Sequence, residues 1–219
     1  GGDIVTLAIN TLGVLYVVEN GNAVQSMADL TGKTIVASGK GSTPEYSLRY
    51  LLTENGLNPD ADVVVDWKSE HSECVAALAS GAATIALLPQ PFVTVAQSKM
   101  PDLRVALDLT EEWDKLDNGS ALLTGVVVAR KDFVEEHPPA VATFLEDYGA
   151  SVSWVNENTA DAAELIAGYG IVDSAAVAEK ALPYCNIVCI TGAEMKEKLS
   201  GYLQVLFDAD PASVGADPA

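Results

Sequence analysis

Residues 34–56 read TIVASGKGSTPEYSLRYLLTENG and decide the fold class of this chain. The first four have the β-branched, apolar composition of a buried strand, and a glycine-rich loop follows them. After the loop, Tyr46, Leu48 and Leu52 recur at helical spacing until Gly56 ends the helix. Strand and helix signals alternate in this way along much of the chain, which is typical of βαβ units. The pattern predicts an α/β fold with largely parallel sheets.

The same reading predicts seven strands and six helices. After residue 129 the strand signals nearly vanish, and helices follow one another. A helical layer of this size has few strands to cover, so we expect a sheet whose other strands are absent from this chain. The predicted strands are 5–9, 14–19, 34–37, 63–67, 84–88, 103–107 and 122–129. The predicted helices are 44–55, 72–80, 138–155, 160–169, 174–182 and 193–207.

Composition excludes several classes of protein. A net charge of -19 over 219 residues argues against nucleic-acid binding, which needs a basic surface. No apolar run reaches the roughly 18 residues that suggest a membrane span. We expect neither a metal nor a cofactor, because the three cysteines and two histidines lack metal-ligand spacing. The cysteines are interpreted as buried free thiols, with a metal site or a Cys185–Cys189 disulfide as the alternatives.

One loop after a predicted strand has the features of a ligand site. In open parallel sheets, ligands bind outside the carboxyl ends of the strands. The loop after residue 37 contains Lys40, Gly41, Ser42 and Thr43, and Pro44 starts a helix. Backbone N–H groups at a helix N-terminus and a nearby lysine favour an anion or polar group. The alternative is a capped helix start with flexible glycines.

Other candidate residues lie in three further places. His71 follows the strand that ends at residue 67, where a polar ligand contact and a plain helix cap are both open. Gln90 lies in a Pro-Gln-Pro turn, where its amide can donate and accept while Phe92 packs in the core. Asn10 and Thr11 form a polar pair inside an apolar stretch, where we expect the chain to cross between lobes.

Five short segments, in this order and spacing, resemble solute-binding proteins of ABC importers for sulfonate, nitrate, taurine and thiamine precursors. Each segment alone is a weak signal, but the combination is fairly specific. The similarity extends from about residue 7 to about residue 210. The segments are 30–36 (LTGKTIV), 41–43 (GST), 76–81 (AALASG), 87–92 (LLPQPF) and 130–133 (RKDF).

The resemblance implies a type II periplasmic-binding-protein fold of two lobes joined by a two-strand hinge, with the first lobe incomplete. Residues 1–19 would be the remnant of lobe 1 and the first crossover, 20–120 lobe 2, and 121–219 the return crossover and the helical remainder of lobe 1. It also implies that Asn10, Thr11, Lys40, Gly41, Ser42, Thr43, His71 and Gln90 face the cleft between the lobes.

The function that the resemblance implies is capture of a small anionic or heterocyclic molecule, without catalysis, for delivery to an ABC permease in the membrane. We expect a monomeric bacterial protein, located in the periplasm or at the cell surface as a lipoprotein. Residues 1–4 contain no basic segment followed by an apolar one, so we expect the export signal to lie outside this sequence. The alternatives are an enzyme resembling thiamine-precursor synthases and a ligand-sensing module.

Overall fold

The structure is a computed structural model that describes residues 3–214. Within that range it has eight strands and nine α-helices, in an alternating order up to β7 and a mainly helical order afterwards. They are β1 (Ile4–Leu12), β2 (Leu15–Glu19), β3 (Thr34–Ser38), α1 (Thr43–Glu54), β4 (Val64–Lys68), α2 (His71–Ala79), β5 (Ile85–Pro89), α3 (Phe92–Lys99), β6 (Arg104–Asp108), α4 (Leu109–Asp114), β7 (Leu123–Arg130), α5 (Lys131–Glu136), α6 (Pro138–Glu157), α7 (Thr159–Gly168), α8 (Ala175–Ala181), β8 (Ile187–Ile190) and α9 (Gly192–Ala209).

The larger sheet has five strands in the order β4-β3-β5-β2-β6. Successive residues of β3 alternate between its two faces: Ile35 belongs to one hydrophobic cluster and Val36 to the other. Helices α1, α4 and α9 supply side chains to the first cluster, and α2 and α3 supply side chains to the second. Both faces are therefore covered, which explains why these strands read as continuous apolar runs.

The smaller sheet has three strands in the order β7-β1-β8, and all of its pairs are antiparallel. Val126 and Val128 of β7 remain exposed, as does Ile4 at the start of β1. Helix α6 has no buried residue along its 20-residue length. Between this helix and the sheet, Leu7, Val127, Val128, Ala129, Phe133, Ala140, Val141 and Phe144 line a groove of about 280 Å³.

All seven predicted strands and all six predicted helices are present. The short helices α3, α4 and α5 and the strand β8 were not predicted. Helices α4 and α5 have six residues each and β8 has four, so each is too short to show a clear hydrophobic period. All three cysteines are free thiols, as predicted, but only Cys74 is buried, and Cys185 and Cys189 are half-buried.

The expectation of largely parallel sheets needs correction. Only β4, β3 and β5 are parallel neighbours, and β2 lies antiparallel between β5 and β6. The chain enters the larger sheet at the edge where β5 ends, since Leu15 pairs with Pro89, and so β2 runs in the opposite direction. Strand β2 belongs to the five-stranded sheet, although the predicted domain division assigns it, within residues 1–19, to lobe 1 and the first crossover.

The two sheets are joined at Gly13, between β1 and β2, and again between α4 and β7. A Cβ atom at Gly13 would lie 2.3 Å from Oγ1 of Thr110 and 2.7 Å from a methyl carbon of Leu122. Real Cβ atoms essentially never approach other atoms this closely, so a larger residue at the crossing would force Thr110 and Leu122 to shift.

Candidate functional site

The three parallel strands of the larger sheet end at Ser38, Lys68 and Pro89, at the same edge. The loops that follow them contain Gly41, the residues before His71, and Gln90. Parallel strands place their carboxyl ends together, and this edge is where open α/β sheets bind ligands. The candidate site therefore begins from backbone topology, before any side chain is considered.

His71 joins these loops through its side chain. Its Nδ1 lies 2.5 Å from the hydroxyl oxygen of Ser38, at the end of β3. Its ring packs against Phe92, the first residue of α3, with ring centroids 5.0 Å apart. Burial lowers the pKa of His71, and the neighbouring carboxylate of Glu70 only partly opposes the shift. The imidazole at this edge is accordingly neutral near pH 7.

The loop before α1 is closed by its own hydrogen bonds. Gly39 and Gly41 have φ angles of 86° and 77°, which glycine adopts without strain. The Ser42 hydroxyl donates to the carbonyl of Gly39 over 2.7 Å. The Gly41 N–H donates to the Glu45 carboxylate over 2.6 Å, so an anion binding there would compete with Glu45. Thr43 accepts a bond of 3.4 Å from the Tyr202 hydroxyl.

Lys40 lies towards the outer side of this loop. It lines a depression of about 400 Å³ together with Glu45, Arg49 and Trp67. Arg49 is already paired with Asp60 over 2.7 Å. Lys40 thus borders the depression between α1 and β4.

Gln90 lies where the site meets the crossing between the two sheets. Its backbone N–H donates to the carbonyl of Val14 over 3.0 Å, and its side-chain oxygen accepts from the Thr94 hydroxyl over 3.0 Å. It also lines a cavity of about 370 Å³ whose wall includes Tyr16, Asp108 and Tyr184. Gln90 therefore faces the crossing as well as the sheet edge.

Asn10 and Thr11 lie near the end of β1, on the smaller sheet. The Thr11 hydroxyl donates to the Asn10 side-chain oxygen over 3.2 Å. A Cβ at Gly125 would lie 2.4 Å from that oxygen, so a glycine in β7 makes room for the Asn10 amide. Among residues 3–214, no hydrogen bond joins this pair to the loops at Gly41, His71 or Gln90.

Sequence reasoning missed a third connection between the sheets. The Asn186 side-chain amide donates to the carbonyl of Gly13 over 2.6 Å, and the Leu12 N–H donates to the carbonyl of Asn186 over 3.1 Å. The Tyr16 hydroxyl donates to the carbonyl of Tyr184 over 2.7 Å. Asn186 has a φ angle of 46°, a left-handed backbone conformation that the sequence does not predict. Sequence reasoning also missed Ser38 as the partner of His71.

Most of the chain matches a known protein family. The family model for the periplasmic substrate-binding protein of phosphonate ABC transporters matches residues 4–180. No curated protein sequence is significantly similar to the chain. Within residues 3–214, no helix is both long and apolar enough to cross a membrane.

Solved structures share the fold. An ABC transporter from Parabacteroides distasonis is 23% identical, with a TM-score of 0.79, and the match covers 97% of this chain and 70% of that chain. The periplasmic aliphatic sulphonate binding protein SsuA from Escherichia coli is 18% identical, with a TM-score of 0.77 and coverage of 100% and 72%. The desulfurization enzyme DSZB is 16% identical, with a TM-score of 0.65 and coverage of 99% and 78%.

These matches confirm the predicted fold class, a type II periplasmic-binding-protein architecture of the α/β kind. They also confirm the predicted role as the substrate-binding component of an ABC import system. The family model matches well over half of the residues. The chain belongs to the family of periplasmic substrate-binding proteins of phosphonate ABC transporters.

Proposed function

We propose that this protein binds a small oxyanion, such as a phosphonate or sulfonate, at the carboxyl edge of the five-stranded sheet. The observation that carries the proposal is the convergence of three loops on His71, which is bonded to Ser38 and packed on Phe92. Oxyanion oxygens accept hydrogen bonds, and this edge offers hydroxyl, imidazole and backbone donors. The residues proposed to contact the ligand are Asn10, Thr11, Lys40, Gly41, Ser42, Thr43, His71 and Gln90.

We further propose that the two sheets belong to two lobes that close around the ligand. The lobe boundaries would lie near Gly13 and Ala121, so that β2 belongs to the second lobe. Closure about few hinge residues is the usual motion of such receptors, and the chain passes between the two sheets at Gly13 and again between α4 and β7. Polypeptide beyond this sequence would cover the apolar groove beside α6 and contribute to the cleft.

Isothermal titration calorimetry tests the ligand class. The panel contains methylphosphonate, ethanesulfonate, taurine, nitrate and a neutral pyrimidine. We expect the phosphonate or sulfonate to bind, and His71→Ala to weaken that binding by about 10-fold or more, as expected for loss of a charge-assisted hydrogen bond. Tyr169→Ala, which changes an exposed aromatic residue immediately after α7, is the control. Preference for the neutral pyrimidine would contradict the oxyanion proposal.

Enzymatic activity is the second candidate function, because the desulfurization enzyme shares the fold and because Ser38 and His71 form a hydroxyl–imidazole pair. Three features favour binding alone. Ser38 is 3% exposed, which keeps its hydroxyl from a substrate. No carboxylate among residues 3–214 hydrogen-bonds to His71 to orient it. Burial raises the pKa of the Cys74 thiol, so a thiolate nucleophile is disfavoured.

Mass spectrometry of each ligand before and after incubation separates the two functions. We expect every ligand to be recovered unchanged, including any that binds. A product whose formation stops in His71→Ala would establish an enzyme instead.

The remaining proposals concern partners and location. We propose an extracytoplasmic monomer, with or without a lipid anchor, that delivers its ligand to an ABC permease. A net charge of -19 opposes self-association. Light scattering after size exclusion should give one chain mass, 22.9 kDa for this sequence. A dimer at low micromolar concentration would contradict the monomer.

A further inference from the structure

The hydrogen bond between Ser38 and His71 determines which nitrogen of the imidazole carries its proton. A neutral histidine has one N–H donor and one acceptor nitrogen, and the tautomer is set by the neighbours of each. Nδ1 faces the Ser38 hydroxyl at 2.5 Å. Nε2 has no hydrogen-bond partner within the described part of the chain, and it is not one of the buried, unpartnered side-chain atoms there. Nε2 is therefore open to solvent at the sheet edge.

The hydroxyl proton of Ser38 decides the tautomer. Because Ser38 is buried, its O–H has to find an acceptor inside the protein. Two candidates are near: Nδ1 of His71, which is its one side-chain hydrogen-bond partner among residues 3–214, and the sulfur of Cys74. An imidazole nitrogen is a much better acceptor than a thiol sulfur. The Cys74 thiol is itself a donor, since it donates to the Glu70 carbonyl over 3.7 Å.

We propose that Ser38 is a positioning residue that holds neutral His71 in the Nε2–H tautomer. The ring then presents a donor at the site and no free acceptor. Packing against Phe92 restrains the plane of the ring and so the direction of that donor. The site thereby selects ligands that place an acceptor oxygen at this point and disfavours ligands that place an N–H there. This selectivity rests on the proposed oxyanion function, whereas the tautomer does not.

Nitrogen-15 NMR of the imidazole rings tests the tautomer without any ligand. The chain has only two histidines, so His137, which packs against exposed Phe133, serves as an internal reference. At a pH where its imidazole is neutral, we expect His71 to show a protonated Nε2 and an unprotonated Nδ1 in a single form. A protonated Nδ1, or a mixture of tautomers, in the wild-type chain would overturn the proposal.

Variants of Ser38 test the cause. We expect Ser38→Ala to move the His71 signals towards a tautomer mixture, and Ser38→Thr, which keeps a hydroxyl, to restore the single form. Ser47→Ala is the matched control, because Ser47 is equally buried and its hydroxyl has no partner in the described residues. Signals of His71 that are the same in Ser38→Ala as in the wild type would overturn the assignment of Ser38.

Titration separates this inference from the proposed function. Ser38→Ala should weaken oxyanion binding by about 5- to 10-fold, the usual effect of losing one oriented hydrogen bond, while Ser47→Ala changes it less than about twofold. Unchanged affinity in Ser38→Ala, together with a changed tautomer, would overturn the claim of selectivity. If the wild type binds no oxyanion at all, the proposed function fails, and the NMR result still decides the tautomer.

Discussion

The five-stranded and three-stranded sheets differ in how their apolar faces are covered. Strands of the larger sheet lie between helices on both faces, and Val17 and Leu88 have no exposed surface. In the smaller sheet, Val128 is 51% exposed, and the long helix α6 buries none of its residues. The strands of both sheets contain runs of valine, leucine or isoleucine. Apolar sequence therefore predicts a strand, but only the neighbouring layers determine how much the strand stabilises the protein.

The largest expected effect is on the free energy of unfolding, when a leucine is replaced by alanine in each of the two regions. Leu88→Ala in β5 should lower the free energy of unfolding by about 3 kcal/mol, because it opens a cavity in a closed core. Leu165→Ala in α7, where the leucine is 51% exposed, should cost less than about 1 kcal/mol. Urea unfolding measures both. Equal losses would show that the smaller region is as well covered as the larger one.

The link between the two regions is tested by Gly13→Ala. The new methyl group would overlap Thr110 and Leu122, and we expect a loss of about 1 to 3 kcal/mol in unfolding free energy. Gly168→Ala is the matched control, because it lies at the end of α7 with no atom within 4 Å of its Cβ position. That control should be neutral or stabilising by about 0.5 kcal/mol. Thermal unfolding of both variants is the measurement.

A smaller effect is expected at the connection between the larger sheet and residues 184–186. Tyr16→Phe removes the hydroxyl that donates to the carbonyl of Tyr184, and should cost about 1 kcal/mol. Hydrogen exchange in residues 184–190 should accelerate, since this segment would be less firmly attached to β2. The side chain of Tyr184 takes no part in this hydrogen bond, which its backbone carbonyl accepts. Tyr184→Phe should therefore change neither the unfolding free energy nor the exchange rate. Faster exchange throughout both sheets would contradict a local connection.

The smallest expected effect is a pH dependence confined to the larger region. Burial lowers the pKa of His71 in the folded state, so below about pH 6.5 the unfolded chain binds more protons than the folded one. Stability should therefore fall as pH drops from 6.5, and it should level out below the folded pKa. His71→Asn should flatten this part of the profile. Urea midpoints across pH 5 to 8 measure the slope, and a steeper slope in His71→Asn would contradict the assignment.

The predictable parts of the fold were those with a strong local signal. Residues 34–37 and 44–55 were recognised because apolar period, loop glycines and Pro44 all agree. The direction of β2 and the position of β8 were not predictable, because each depends on which strand lies beside it. At the site, the sequence predicts that the loops at Gly41, His71 and Gln90 lie at one edge of the sheet. The bond from His71 to Ser38 and the engagement of Gly41 by Glu45 came only from geometry.

The amino-acid sequence was enough to predict seven of the eight strands, six of the nine α-helices, the α/β class and the loops that meet at the carboxyl edge. These follow from periodicity, glycine, proline and charge, which act within a few residues of one another. The tertiary structure alone decided which apolar faces are covered, how Tyr184 and Asn186 reach the crossing at Gly13, and which atom faces each imidazole nitrogen. Those properties depend on contacts between residues far apart in the chain, which local sequence patterns do not predict.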